Sequence, residues 1–234
     1  MTDTTPIRDA ASVILVRDRH RAPRVLMGQR HQRAAFMPGV FVFPGGAVDP
    51  QDAGVPVHCD LSAACLERLA DGAGAGLSLA LQGAAIREVR EETGLLLGRN
   101  EPWAAEPAAA SWQIFADESC TPASAGFRFF FRAITPPGAP RRFDARFFLV
   151  DADQALAKGD LDDFSRADDE LSNLQWVPLN QVASLRIAFI THLALERALP
   201  LIGHDEPPAE VPLVQGSRKS MLRRARADGD RFAY

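Results

Sequence analysis

Cysteine, long apolar runs and surplus positive charge are all scarce in this 234-residue chain, and each scarcity excludes something. The three cysteines, Cys59, Cys65 and Cys120, are odd in number and lack CxxC spacing, so reduced packing thiols are expected in place of a disulfide framework. A zinc site drawn from His58, Cys59 and Cys65 lacks regular spacing and a fourth ligand. No apolar run approaches the roughly 18 to 20 residues of a bilayer span. The first ten residues mix Asp3, Arg8 and Asp9 with threonines and have no apolar centre of the signal-peptide kind, so a cytoplasmic location is the expectation. With 26 Lys and Arg against 30 Asp and Glu, the net charge is −4, and any attraction for phosphate must be local. The patterns GxSxG, HExxH, GxxxxGK and GxGxxG do not occur.

What is present is ordinary globular composition, 47% hydrophobic and 24% charged, in a length that suits one main domain over residues 1–234 with embellishments. Residues 12–16 and 24–29 read as a hairpin, and residues 41–43 as a short third strand set between Pro38-Gly39 and Pro44-Gly45-Gly46. Residues 53–83 behave as an insertion, acting either as a lid or as surface decoration, with a helix at 61–70 and a glycine-rich flexible end at 71–76. Helix formers dominate 79–93, with Ala85, Ile86 and Val89 on one face and Gly94 as a C-cap, before a strand at 95–97. A Pro- and Ala-rich connection at 101–110 precedes aromatic strands at 127–134 and 143–150. Then come a short helix at 151–158, an acidic loop at 160–170, a strand at 174–177 and a helix at 180–199. Residues 200–234 form an extension whose basic stretch 218–226 is either a solvated terminus or a contact for a partner.

The stretch Arg87-Glu88-Val89-Arg90-Glu91-Glu92-Thr93-Gly94-Leu95 is the most informative. On a helix, Glu88, Glu91 and Glu92 at i, i+3 and i+4 share one face, where like charges repel by roughly 0.2 to 0.5 kcal/mol per pair. The set is either a solvated face or a site for a hard divalent cation, since Mg2+ takes one or two carboxylates plus phosphate oxygens and Mn2+ accepts similar ligands.

Together with Pro44-Gly45-Gly46, this stretch resembles the box of the Nudix superfamily, G-x5-E-x7-R-E-U-x-E-E-x-G-U with U aliphatic. Every fixed position of the second half is matched, by Arg87, Glu88, Val89, Glu91, Glu92, Gly94 and Leu95. The first half departs: Asp52 stands where a glutamate is expected, with Asp49 as a competitor, and 34 residues separate it from Arg87 in place of seven. Closure entropy rises only logarithmically with loop length, so the halves can still meet. Phe36-Met37-Pro38-Gly39, the split box, and Arg141-Arg142-Phe143-Asp144 leading into Phe147-Phe148 resemble, more narrowly, the branch containing the peroxisomal coenzyme A diphosphatase.

The resemblance implies an α/β/α sandwich with a mixed central sheet, and metal-dependent hydrolysis of a diphosphate bond in a small molecule. It implies Mg2+ or Mn2+ held by Glu88, Glu91, Glu92 and the Gly45 carbonyl, with Arg87 fixing a glutamate. Glu170, shortly before Trp176, is the choice for an additional acidic residue from a late loop; Glu91, Glu92 or Glu170 takes the proton from water. Coenzyme A or an acyl derivative leads among substrates. Arg30 either meets a phosphate or is solvated, and Arg142 and Asp144 either face substrate or form an ion pair. The competing class is a non-catalytic Nudix module that senses a nucleotide metabolite. No helix-turn-helix fits after Leu199, so nucleic acid is not an expected partner, and a homodimer is expected only because dimers are common in the superfamily.

Overall fold

The computed structural model describes residues 5–33, 38–71, 74, 76–105 and 110–216. The elements are, in order, β1 (Ile7–Arg17), β2 (Arg24–Arg30), β3 (Phe41–Val42), β4 (Gly45–Ala47), α1 (Ala63–Ala70), α2 (Leu77–Thr93), β5 (Leu96–Arg99) and α3 (Ala110–Asp117). There follow β6 (Thr121–Pro122), β7 (Phe127–Ile134), β8 (Arg142–Asp151), α4 (Ala152–Ala155), β9 (Leu156–Lys158), β10 (Leu171–Pro178), α5 (Phe189–Ala198) and β11 (Leu213–Val214).

The main sheet runs β10-β2-β1-β8-β7-β11, with β3 on β2 and β4 on β1. It is mixed: β1 and β8 are parallel, as are β7 and β11, while the other pairs are antiparallel. Because β1 lies in the middle, its run Val13-Ile14-Leu15-Val16 is apolar on both faces. Val13 and Leu15 enter one core with Ala84, Ala85, Ile86 and Val89 of α2. Ile14 and Val16 enter a second core with Leu193, Ala194 and Ala198 of α5. The expected α/β/α sandwich with a mixed sheet is therefore what forms. No helix among the described residues is long and apolar enough to cross a membrane.

Three expectations are corrected. The helix expected over 180–199 is broken into a 3-10 turn, Leu179–Ser184, and α5. Between them the Arg186 carbonyl accepts the Phe41 N–H at 2.8 Å and Ile187 bridges Phe41, so the backbone there serves β3. The helix expected over 151–158 is only one turn, α4, because Leu156–Lys158 pairs with β5 as β9. Between the connection at 101–110 and the strand at 127 the sequence predicts no element, yet α3 and β6 form there, with Trp112 and Phe115 fully buried.

The segment 53–71 is bonded to the body. Ser62 caps α1 by accepting from Cys65 N, Cys65 and Leu69 join the α2-side core, and Arg132 donates to the Asp71 carbonyl. Beyond Pro200 the chain straps the far edge: Arg128 donates to the carbonyls of Leu201 and His204, and Leu213–Val214 pairs with β7. Phe36-Met37, half of the glycine-rich end at 71–76, part of the connection at 101–110 and the basic stretch 218–226 lie outside the described residues.

Candidate active site

β1 has β8 along one edge and two successive partners along the other. Val16 and Arg17 pair with β2, whereas Ala10, Ala11 and Ser12 pair with Ala47, Gly46 and Gly45 of β4. This fork carries the Gly45–Ala47 turn onto the acidic face of α2.

Arg87 organises the junction. Its guanidinium is buried and all five N–H groups find acceptors. Nε and Nη2 form a fork on Asp52 at 2.9 and 3.0 Å, and Nη2 also reaches the Ala47 carbonyl at 3.0 Å. Nη1 donates to Glu88 at 2.8 Å and Glu91 at 2.9 Å. Asp52 is completely buried and accepts a third bond from Asp49 N at 2.8 Å. Asp52, not Asp49, thus occupies the position facing Arg87. The approach needs Gly83, one helical turn before Arg87, because a Cβ there would lie 2.8 Å from the Asp52 carbonyl oxygen.

Two glutamates are held away from their ordinary ionisation. Burial, the nearby negative charges of Glu91 and Glu170, and the opposing pull of Arg87 leave the Glu88 carboxyl raised to about 7. Burial, followed by the charge of Glu88, raises the Glu92 carboxyl well above the usual range, although the Gly45 N–H donates to it at 2.8 Å. The same pull of Asp52 and Glu88 on Arg87 overcomes its burial and raises its pKa. Glu88 lies this close to the turn because residue 46 is glycine: a Cβ there would lie 2.3 Å from Glu88 Oε1, and the carboxylate would have to shift.

A cavity of about 890 Å3 opens at this fork. Gly45, Glu88, Glu91 and Arg87 line one end, together with Asp168 and Glu170. The acidic loop arrives there because Asp168 N donates to the Glu91 carbonyl at 2.7 Å, and Asp168 in turn accepts from Glu170 N at 2.9 Å. Arg30 lines the same end; it is in register with Leu171, next to Glu170, and its charge acts on Glu92. Glu92 itself is buried behind Gly45 and is not among the lining residues. Phe143, Ala145 and Phe147 of β8 form the floor.

Neither Arg142 nor Asp144 lines the cavity. They alternate with the floor residues and point to the other face of β8, where Asp144 receives Arg132 Nε and Nη2 at 2.9 and 2.7 Å. Asp144 thus forms an interstrand ion pair with Arg132, extended by Arg146 and Asp9, while Arg142 Nε donates to the Thr135 carbonyl at 3.2 Å. The described part of 53–83 lines none of the cavity either; it packs on α2 and β7. Sequence reasoning missed Gly83 and Asp168, and also Arg8, Arg141 and Arg186 on the cavity wall. Arg141 stood out in the sequence only as part of the run Arg141-Arg142-Phe143-Asp144, and nothing local marks Arg8.

Among the described residues, no three His, Cys, Asp or Glu side chains form a ready-made cage for a metal ion. Glu88 and Glu91 each turn one oxygen to Arg87. The donor chemistry nevertheless fits a hard cation that takes one or two carboxylates and completes its shell with phosphate and water. A dication among Glu88, Glu91, Glu92 and Glu170 would relieve the repulsion and desolvation that hold two of them toward the protonated form.

No family model matches the chain. It is 31% identical over 184 residues to a Caenorhabditis elegans protein assigned, as a candidate, to the Nudix hydrolases under the name nudix hydrolase 7; the match takes in 74% of this chain. The chain spans about half, 52%, of that relative's length. In three dimensions it is similar to a NUDIX hydrolase from Alicyclobacillus acidocaldarius, with a TM-score of 0.63, 26% identity, and coverage of 85% of this chain and 94% of the other.

Proposed function

We propose that the chain is a Nudix hydrolase that cleaves the diphosphate bond of a nucleoside diphosphate derivative with the help of Mg2+ or Mn2+, a reading supported by its similarity to the two proteins above. The observation that carries this reading is the Arg87 fork, which binds Asp52, Glu88, Glu91 and the Gly45–Ala47 turn into one unit at the end of an 890 Å3 cavity. Glu88, Glu91 and Glu92 are the residues that would hold the metal, with the Gly45 carbonyl beside them. A bound dication polarises phosphoryl oxygens, lowers the pKa of a water and neutralises charge gathering in the transition state.

The chain's own residues do the rest. Arg30, at the acidic end, offers a forked guanidinium to the diphosphate oxygens. Arg87 does not serve substrate in this reading; its five donors are taken, and it orients Glu88 and Glu91. The proton of the attacking water passes to a carboxylate of the set Glu91, Glu92 and Glu170, of which Glu91 and Glu170 reach the cavity surface. Apolar walls from Phe143, Phe147 and Ile187 suit a substrate with an aromatic or aliphatic body. Within the substrate class, the resemblance to the coenzyme A diphosphatase branch favours coenzyme A or an acyl derivative.

The test is turnover of a panel of diphosphates with Mg2+ or Mn2+, scored as released phosphomonoester, for the wild type and Glu92→Gln. The glutamine oxygen can still accept the Gly45 N–H, so the fold should survive while the charge is lost. Loss of most metal-dependent turnover with an unchanged melting temperature is the expected result. Undiminished turnover in Glu92→Gln would refute the assignment, and silence of the wild type across the panel would favour a sensing module.

A further inference from the structure

Strand β10 reaches the site with one residue more than its partner. Trp176 pairs with Leu26 and Gln175 with Met27, but Ser172 pairs with Gln29 and Leu171 with Arg30. Between these stretches Asn173 and Leu174 both stand opposite Gly28, which makes a β-bulge. Continued without it, the register of Trp176 on Leu26 would set Ser172 against Arg30 and carry Leu171 on to His31. Because side chains alternate along a strand, that slip would also turn Leu171, and with it Glu170, to the opposite face. The extra residue therefore decides where Glu170 stands relative to Arg30.

Backbone conformation, a side-chain relay and a missing Cβ hold the bulge. Asn173 has a φ of 50°, one of three non-glycine residues with positive φ among the described residues, and asparagine tolerates that region far better than a β-branched residue does. Its Nδ2 donates to Gln29 Oε1 at 2.7 Å, and Gln29 Nε2 donates onward to the Gly39 carbonyl at 3.1 Å. Gly39 N in turn donates to the Arg30 carbonyl at 3.0 Å, so the relay returns to the strand end that carries Arg30. Opposite the bulge, a Cβ on Gly28 would lie 2.8 Å from Leu171 Cβ and 2.9 Å from Leu174 Cδ2. Asn173 is itself exposed and lines no part of the cavity, so neither packing nor substrate accounts for its conformation. What lies beyond it does: Glu170 lines the acidic end of the cavity, and its charge acts on both Glu88 and Glu92.

We propose that Asn173 is a positioning residue of this site: by holding the β10 bulge it sets Glu170 beside Arg30, where the carboxylate joins Glu88, Glu91 and Glu92 in holding the divalent cation. This rests on the hydrolytic reading above and adds to it a residue that touches neither cation nor substrate.

The experiment is calorimetric titration of the full chain with Mn2+, for the wild type, Asn173→Val, Asn173→Gly, Glu170→Gln, and the double variant combining Asn173→Val with Glu170→Gln. Valine is strained at positive φ, whereas glycine takes it freely. Asn173→Val and Glu170→Gln should each weaken Mn2+ binding by about fivefold or more, and Asn173→Gly should stay within about twofold of the wild type. In the double variant the loss should not exceed that of Glu170→Gln alone, since a residue that acts through Glu170 has nothing left to place. Equal weakening by valine and glycine, wild-type affinity in Asn173→Val or Glu170→Gln, multiplied losses in the double variant, or no Mn2+ binding by the wild type would each overturn the inference. Turnover of the diphosphate panel is scored separately. The expected binding pattern without turnover sinks the hydrolytic proposal alone, and turnover without that pattern sinks only the positioning role.

Discussion

Replacing Asp52 by asparagine isolates the bond on which the site's geometry rests. The carboxylate is completely buried and accepts three hydrogen bonds, two from the Arg87 fork and one from Asp49 N. Asparagine keeps the shape but offers one acceptor oxygen, so its amide N–H2 must face either Arg87 Nε, or Arg87 Nη2 and Asp49 N–H together, donor against donor. Breaking one partner of a buried pair typically costs about 3 to 5 kcal/mol. For a chain of this size each kcal/mol moves the melting temperature by roughly 2 to 4 °C, so a fall of about 6 to 20 °C is expected. The control is Asp49→Asn, whose carboxylate accepts, among the described residues, from Gln51 N alone and which should change stability by no more than about 1 kcal/mol. Thermal melts in EDTA at one pH, followed by circular dichroism, make the comparison. If Asp52→Asn melts within about 2 °C of Asp49→Asn, Asp52 is not the anchor of Arg87, and the argument that the guanidinium needs a dedicated counter-ion fails.

Three further outcomes follow from the same geometry. The Glu88 carboxyl, raised from 4.5 to about 7, binds its proton more tightly in the folded than in the unfolded chain. The metal-free protein therefore loses about 3 kcal/mol through this group as pH rises across that window. Urea unfolding of wild type and Glu88→Gln should show their stability difference shifting by that amount, and parallel curves would contradict the assigned ionisation. Gly46→Ala places a methyl 2.3 Å from Glu88 Oε1 and displaces the carboxylate from the turn; manganese affinity measured by calorimetry should fall at least tenfold, and undisturbed affinity would show that Glu88 is not a ligand. Gly83→Ala gains up to about 1 kcal/mol of helix propensity but drives a Cβ to 2.8 Å from the Asp52 carbonyl, an overpacking cost of roughly 1 to 3 kcal/mol. Net destabilisation is expected, and a higher melting temperature would mean that the contact yields freely.

The acidic helix face was legible because its information is local: spacing alone puts Glu88, Glu91 and Glu92 on one side, and the structure differs from the expected helix by only two residues at its start. The partner of Arg87 was legible only through the motif, since Asp52 is 35 positions away and Asp49 offered the same chemistry. Strand parity was not legible at all. In β8 every residue from Phe147 to Asp151 is buried, so no solvent-facing alternation shows which set, Arg142 and Asp144 or Arg141 and Phe143, looks into the cavity. The answer depends on the parallel register of β8 with β1, strands more than 130 residues apart in sequence. Similarly, the run 180–199 carries enough apolar residues for one helix, and only the long-range claim of Phe41 on the Arg186 carbonyl breaks it.

A charge count shows why Asp52 matters to the site as well as to stability. With Asp52 ionised, the Arg87 fork and its counter-ion form a neutral, buried pair, so the cation is already satisfied before it touches Glu88 or Glu91. The four glutamates around the turn then remain in surplus over Arg30, and burial pushes the excess into protonation at Glu88 and Glu92. Without Asp52, Arg87 would be free to neutralise Glu88 and Glu91 directly, and the demand for an external dication would shrink. The aspartate therefore acts at one remove: by occupying the arginine it keeps the glutamates hungry for a hard cation, while the five-donor fork fixes where that cation can bind. An arrangement built for stability alone would balance these charges. This one leaves them unbalanced at the end of an open cavity.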